Sequence, residues 1–104
     1  MLYFSLAGNG EICRELGSRL KAQRLARNLG QKELAARAGV SAGTVKNLEN
    51  KGQSSLESLI RIVSALDLME ELDTLFVLRT RSIAEMEQAE LGRRSRASGR
   101  RRTE

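Results

Sequence analysis

The stretch Gln31 to Asn50, QKELAARAGVSAGTVKNLEN, decides the reading of this chain. Gln31 to Ala38 places Leu34, Ala35 and Ala38 on one helical face. Gly39 follows, where a positive φ is easily tolerated. Ser41 is a good N-cap for a next helix over residues 42–50, with Val45 and Leu48 inward. Leu34, Ala38, Val40, Val45 and Leu48 then form a seam, and Ala35 is small where the second helix crosses close above it. The spacing predicts two short helices joined by a tight turn.

Upstream, Ile12, Leu16 and Leu20 recur every four residues and Leu25 extends the stripe. That pattern predicts an amphipathic helix over 11–28, with Arg14, Arg19, Lys21 and Arg27 mostly outside it. Gly8-Asn9-Gly10 lacks the continuation of a phosphate loop and reads as a flexible lead-in. Downstream, Lys51-Gly52-Gln53 is a loop, and Ser54 with Glu57 has capping-box spacing for a fourth helix to about Leu66. The apolar set Leu56, Leu59, Ile60, Ile62, Val63 and Leu66 is wide enough to put that helix at the centre of the core. Leu68, Leu72, Leu75 and Phe76 continue at helical spacing over 67–78, and 82–91 can continue as helix with Ile83 and Met86 on one side. The expected fold is all-α: a lead-in over 1–10, a compact five-helix domain over 11–78, a helical extension or partner segment over 79–91, and a disordered Arg-rich tail over 92–104.

Composition narrows the function. The chain has 104 residues and no His, Pro or Trp, so it holds neither a Ser-His nor a Cys-His pair and no His metal ligand. Catalysis is a poor fit, and no cofactor or metal is expected. The lone Cys13 cannot close an internal disulfide, which suits a reducing cytoplasm; it is expected to pack as a small apolar side chain. No apolar run approaches the roughly 20 residues needed to span a bilayer. Asp67, Glu70, Glu71 and Asp73 alternate with Leu and Met, as on the solvated face of a helix.

The net charge of +5 is unevenly distributed. Residues 11–53 hold nine Lys or Arg against four acids, 54–91 hold three against eight, and 92–104 hold six Arg against Glu104. A basic, an acidic and a basic segment follow one another. Such asymmetry points to an anionic partner for one part and another task for the next.

The stretch Gln31 to Asn50 resembles the helix-turn-helix of the lambda-repressor-like (Cro/C1, XRE-type) DNA-binding domains, and the similarity extends over about residues 11–78. In that family an Arg on the first helix, seven residues before the leading Gln, pairs with a Glu near the end of the recognition helix. The matching residues here are Arg24 and Glu49, so the resemblance implies a buried ion pair. It also implies that the helix over 42–50 enters the major groove of double-stranded DNA. Gln31, with Lys32 beside it, would grip a phosphate, and Ser41 would cap the recognition helix and reach the backbone. Thr44, Lys46 and Asn47 are the candidates for base edges, since Lys suits guanine, Asn adenine and the Thr methyl thymine. Lys51, Gln53, Ser54 and Ser55 would clamp the opposite strand. Ala42 and Gly43 depart from the family, which often has long polar base readers there. Either the backbone approaches closely, with Ala42 touching a thymine methyl, or specificity rests on DNA shape.

These domains work as twofold dimers on palindromic operators. The apolar stretch Leu75, Phe76, Val77 and Leu78 is the expected homodimer or partner surface, with a cover for the core as the alternative. The sequence after the recognition helix, SSLESLIRIVSALDLMEELDTLF, and the Arg-rich end are similar to HipB-type antitoxins, which implies autoregulation of an operon and binding of a HipA-like kinase toxin. The competing reading is a stand-alone cytoplasmic repressor. The tail RRSRASGRR suits a minor groove, backbone phosphates, an acidic protein surface or simple solubilisation. A pure protein-interaction bundle would explain neither the motif nor the basic 11–53 segment.

Overall fold

A computed structural model of the chain describes residues 2–79 and 87–93, all helical or irregular and without a strand. The chain divides into two compact units, residues 1–74 and residues 75–104. In the first, α1 spans Asn9–Ala26, α2 Gln31–Ala38, α3 Ala42–Lys51 and α4 Leu56–Ala65. A 3-10 turn at Met69–Leu72 is the fifth helical element after the lead, and another lies at Phe4–Leu6.

Each boundary has a local cause. The Gly8-Asn9-Gly10 stretch is the start of α1 rather than a flexible lead-in: Gly8 is its N-cap, and the Glu11 carboxylate accepts from the Gly8 N–H at 3.4 Å. The Arg19 guanidinium lies 5.0 Å from the centre of the Phe4 ring, tying the preceding turn to α1 by a cation–π contact. Gly30 and Glu33 repeat the same N-terminal device at α2. Gly39 leaves α2 at φ 72°, in the left-handed region, as its place in the turn requires. Ser41 caps α3 by accepting the Thr44 N–H at 3.0 Å.

The cap of α4 is Ser55, one residue later than the capping-box spacing indicated. Its hydroxyl accepts the Ser58 N–H at 3.0 Å, while the Ser54 hydroxyl donates to the Ser55 carbonyl. Glu57 therefore falls too early in the helix to complete the box and pairs with Arg61 instead, at 3.0 Å. Beyond α4, Asp67 adopts φ 61° and Phe76 φ 59°, so the leucines of 67–78 do not form one continuous helix. In the second unit, Leu75 to Leu78 are exposed and residues 87–93 are helical. Ile83 and Met86 lie outside the described residues, as does the expected disordered tail from residue 94 onward.

The core is built from Leu29, Leu34, Ala35, Ala38, Val45, Leu48, Ile62 and Leu66, with Leu20, Val40 and Leu59 packed against it. The seam read from the helix-turn-helix is therefore the core itself. The stripe on α1 is not. Leu16 and Leu25 stay 41% and 54% exposed, whereas the buried residues of α1 are Gly17 and Arg24. Leu56 on α4 is also exposed, leaving Ile62, Val63 and Leu66 to carry that helix into the core. Cys13 is exposed, contrary to the expected packing, because the line of α1 that meets α3 contributes backbone there rather than a thiol.

Two glycines set how closely α1 and α3 approach. A Cβ on Gly17 would stand 2.0 Å from the Leu48 carbonyl oxygen, and one on Gly52 would stand 2.3 Å from the Cys13 carbonyl. Both obstacles are backbone, so neither can swing aside. Gly17→Ala must separate the two helices and is expected to destabilise the fold by roughly 1–3 kcal/mol or more. Urea denaturation measures this; an unchanged midpoint would mean that α1 and α3 are not in backbone contact.

Candidate nucleic-acid interface

The candidate interface starts from a buried charge cluster beneath it. Arg24 Nε donates to Glu49 Oε2 at 2.7 Å and Arg24 Nη2 to Glu49 Oε1 at 2.9 Å, a bidentate pair from α1 to α3. Arg24 Nη1 donates to the Leu29 carbonyl at 2.7 Å, and the Leu29 N–H returns to the Arg24 carbonyl at 3.2 Å. The turn between α1 and α2, with Asn28 at φ 57°, is thus closed on the same arginine. Gln31 Nε2, at the first position of α2, donates to Glu49 Oε1 at 3.1 Å. Three helices meet on one carboxylate.

Only 7% of the Arg24 side chain and 2% of the Glu49 side chain reach solvent. Burial opposes the Glu49 charge, but the hydrogen bonds from Arg24 and Gln31 and the Arg24 and Lys21 charges outweigh it. Its pKa lies below the ordinary glutamate value. The Glu49 hydrogen bond, against the cost of burial, holds Arg24 above its own ordinary value. Among the described residues no buried side-chain nitrogen or oxygen lacks a partner.

With Val45, Leu48 and Glu49 turned inward, the opposite face of α3 is fixed. Gly43, Lys46, Asn47 and Asn50 are exposed at i, i+3, i+4 and i+7, one continuous stripe on the helix. Asn50 was not singled out in the sequence, and the signal was available: it is one turn beyond Lys46 and Asn47. Thr44 is half-buried, and its hydroxyl is hydrogen-bonded to that of Ser41 at 2.8 Å. Ala42 is half-buried beside the cap.

The other candidates flank this stripe at two helix ends. Lys32 is exposed on the first turn of α2, next to Gln31. Lys51 is exposed on the last turn of α3, followed by exposed Gln53, Ser54 and Ser55 in the link to α4. The Gln53 N–H donates to the Asn47 carbonyl at 3.4 Å, holding this link against the end of α3. Lys32, Lys46 and Lys51 have no ion-pair partner among the described residues, whereas Arg19, Arg37 and Arg61 are each paired along their own helices. Positive charge is therefore available on the α2 and α3 side. No group of His, Cys, Asp or Glu among the described residues is arranged to hold a metal ion.

A family model described as helix-turn-helix matches residues 20–71, which covers α2, α3, α4 and the part of α1 that carries Arg24. The chain belongs to the lambda-repressor-like (XRE-type) helix-turn-helix family. It is a DNA-binding helix-turn-helix regulator. No curated protein matches the chain in sequence. No helix among the described residues is long and apolar enough to cross a membrane.

The Arg24–Glu49 pair makes a direct prediction. Arg24→Ala or Glu49→Ala strands a buried charge and is expected to cost about 3–5 kcal/mol at neutral pH. The pH dependence follows from the sign of the Glu49 shift. Its folded pKa is below the unfolded value of about 4.3, so its contribution is complete above that value and is lost as pH falls through the folded one. Arg24 stays charged throughout. Urea melts at pH 7 and at pH 3 check this: the stability lost on acidification is expected to be smaller in Glu49→Gln than in the parent, and an equal loss would place Glu49 in solvent.

Proposed function

We propose that the chain is a sequence-specific repressor that reads the major groove with α3 and binds a palindromic operator as a homodimer. The observation that carries this reading is the exposed stripe Gly43, Lys46, Asn47 and Asn50, set on a helix whose other face is locked by Glu49. In it Lys46 and Asn47 supply the hydrogen-bonding groups for base edges. Gln31, Lys32, Ser41, Lys51, Gln53 and Ser54 surround the stripe as phosphate contacts that set the register. Gln31 does this from a fixed position, because its amide nitrogen is held by Glu49. Thr44 joins the readers through its methyl, since its hydroxyl is engaged by Ser41. In this reading the DNA-binding domain spans 11–78, 79–91 extend it towards a partner, and the Arg-rich 92–104 add affinity through phosphates.

A single helix reads only a few base pairs, so specificity requires two copies about one helical turn apart. The exposed residues Leu75, Phe76, Val77 and Leu78 are the proposed dimer surface, with Phe76 96% exposed. The same exposure favours one second reading, a HipB-type antitoxin whose apolar segment holds a HipA-like kinase toxin while the domain represses its own operon. Sedimentation tests the dimer surface, since a monomer at micromolar concentration would remove it. A pull-down for a kinase partner separates the two readings: capture of a kinase favours the antitoxin, and its absence the stand-alone repressor.

For DNA, the test is Lys46→Ala against the tightest duplex that the parent chain selects from a randomised pool. The expected loss is about 1–3 kcal/mol, roughly 5- to 150-fold, with relaxed preference at one base pair. Equal weakening on every duplex would place Lys46 on phosphate, and no weakening would remove α3 from the interface.

A further inference from the structure

Gly43 has no structural reason to be glycine. It is the second residue of α3, its φ is not positive, and a Cβ there would meet nothing closer than the Ser41 hydroxyl at 3.8 Å, an ordinary contact. Glycine in a helix carries an entropic cost that alanine avoids, so the fold by itself favours a side chain at this position. Gly17, in the α1–α3 contact, is different in kind, since a Cβ there collides with backbone. Gly43 is also on the exposed stripe with Lys46, Asn47 and Asn50, at the end where the helix would enter the groove.

We infer that Gly43 is a contact glycine: the α3 backbone at residues 42–43 rests directly against the duplex, and the missing side chain is the space that the DNA occupies. The inference rests on α3 being the DNA-reading helix. At this step of the groove the chain then contributes no hydrogen-bonding side chain. It meets the DNA through the Gly43 Cα and the small Ala42 side chain, by shape and apolar contact, while Lys46 and Asn47 supply hydrogen bonds one turn further along. The close approach also brings the free N–H groups at the start of α3 nearer to the phosphates.

The chain contains a matched control. Gly10 is the second residue of α1, as Gly43 is of α3, and a Cβ on it would meet only the mobile end of Arg14, at 3.5 Å. It is on α1, outside the α3 stripe and outside the flanking residues assigned to phosphate. Gly10→Ala and Gly43→Ala should therefore act alike on stability and differently on DNA.

The experiment uses the full chain, thermal melts, and binding to the tightest duplex that the parent selects from a randomised pool. Both alanine variants are expected to raise the melting temperature by about 2–6 °C. Gly10→Ala keeps the parent's affinity, whereas Gly43→Ala loses roughly tenfold or more and Gly43→Gln loses still more, because each added atom pushes the helix out of the groove. Parent-like or tighter binding by Gly43→Ala or Gly43→Gln would overturn the inference while leaving the DNA-binding reading intact. A parent chain that selects no duplex would overturn both. A fall in melting temperature for Gly43→Ala alone would show that the fold itself requires the glycine, and would overturn the inference as well.

Discussion

Everything on the exposed side of α3 depends on one buried carboxylate. Glu49 is gripped by Nε and Nη2 of Arg24 and by the Gln31 amide, so α1, the start of α2 and the end of α3 have a common point of reference. A buried ion pair is a weak source of net stability, because the desolvation of both charges offsets much of their attraction. Its effect here is positional. An apolar pair would tolerate sliding, but a bidentate guanidinium–carboxylate contact has one geometry. The rotation of α3 about its own axis is thereby fixed, and with it the identity of the residues left facing outward.

The glycines complete the positioning. Gly17 and Gly52 let α1 and α3 touch through their backbones, and Gly39 supplies the left-handed residue between α2 and α3. Seen from the buried side, the line on α1 runs through Gly17, the half-buried Leu20 and Arg24, rather than through the leucines that make its periodicity visible. Among the described residues the exposed lysines of α2 and α3 have no ion-pair partner, whereas Arg19, Arg37 and Arg61 are tied to acids on their own helices. Surface pairs of that kind contribute little to stability but lower the charge available to a partner.

The helix-turn-helix was legible because each of its positions has a distinct local demand: Gly at a positive φ, Ser at a cap, small or branched residues at a seam. The Arg24–Glu49 pair was legible only through the family pattern, since charges on helices ordinarily face water. Other features left no such mark. The burial of Gly17 is set by which backbone crosses it, and a lone glycine in a helix reads only as a lower propensity. The half-exposure of Leu16 and Leu25 was hidden because hydrophobic periodicity identifies a helix without showing which apolar residues the neighbours cover. Ser54 and Ser55 are equally good caps, and the choice between them is made by where α4 must begin to bury Ile62 and Leu66. Leucine spacing over 67–78 could not reveal the left-handed residues Asp67 and Phe76. On the exposed stripe of α3, Lys46 and Asn47 were readable from the motif, and helical spacing extends the same face to Asn50.

The most direct test of this account is an NMR titration of the full chain with the duplex it selects, followed through its backbone amides. The largest shift changes are expected on Gly43, Lys46, Asn47 and Asn50, on the first turn of α2 around Gln31 and Lys32, and on residues 51–55, with the smallest on amides lining the inward face of α3. Changes concentrated away from α3, with the stripe undisturbed, would contradict it.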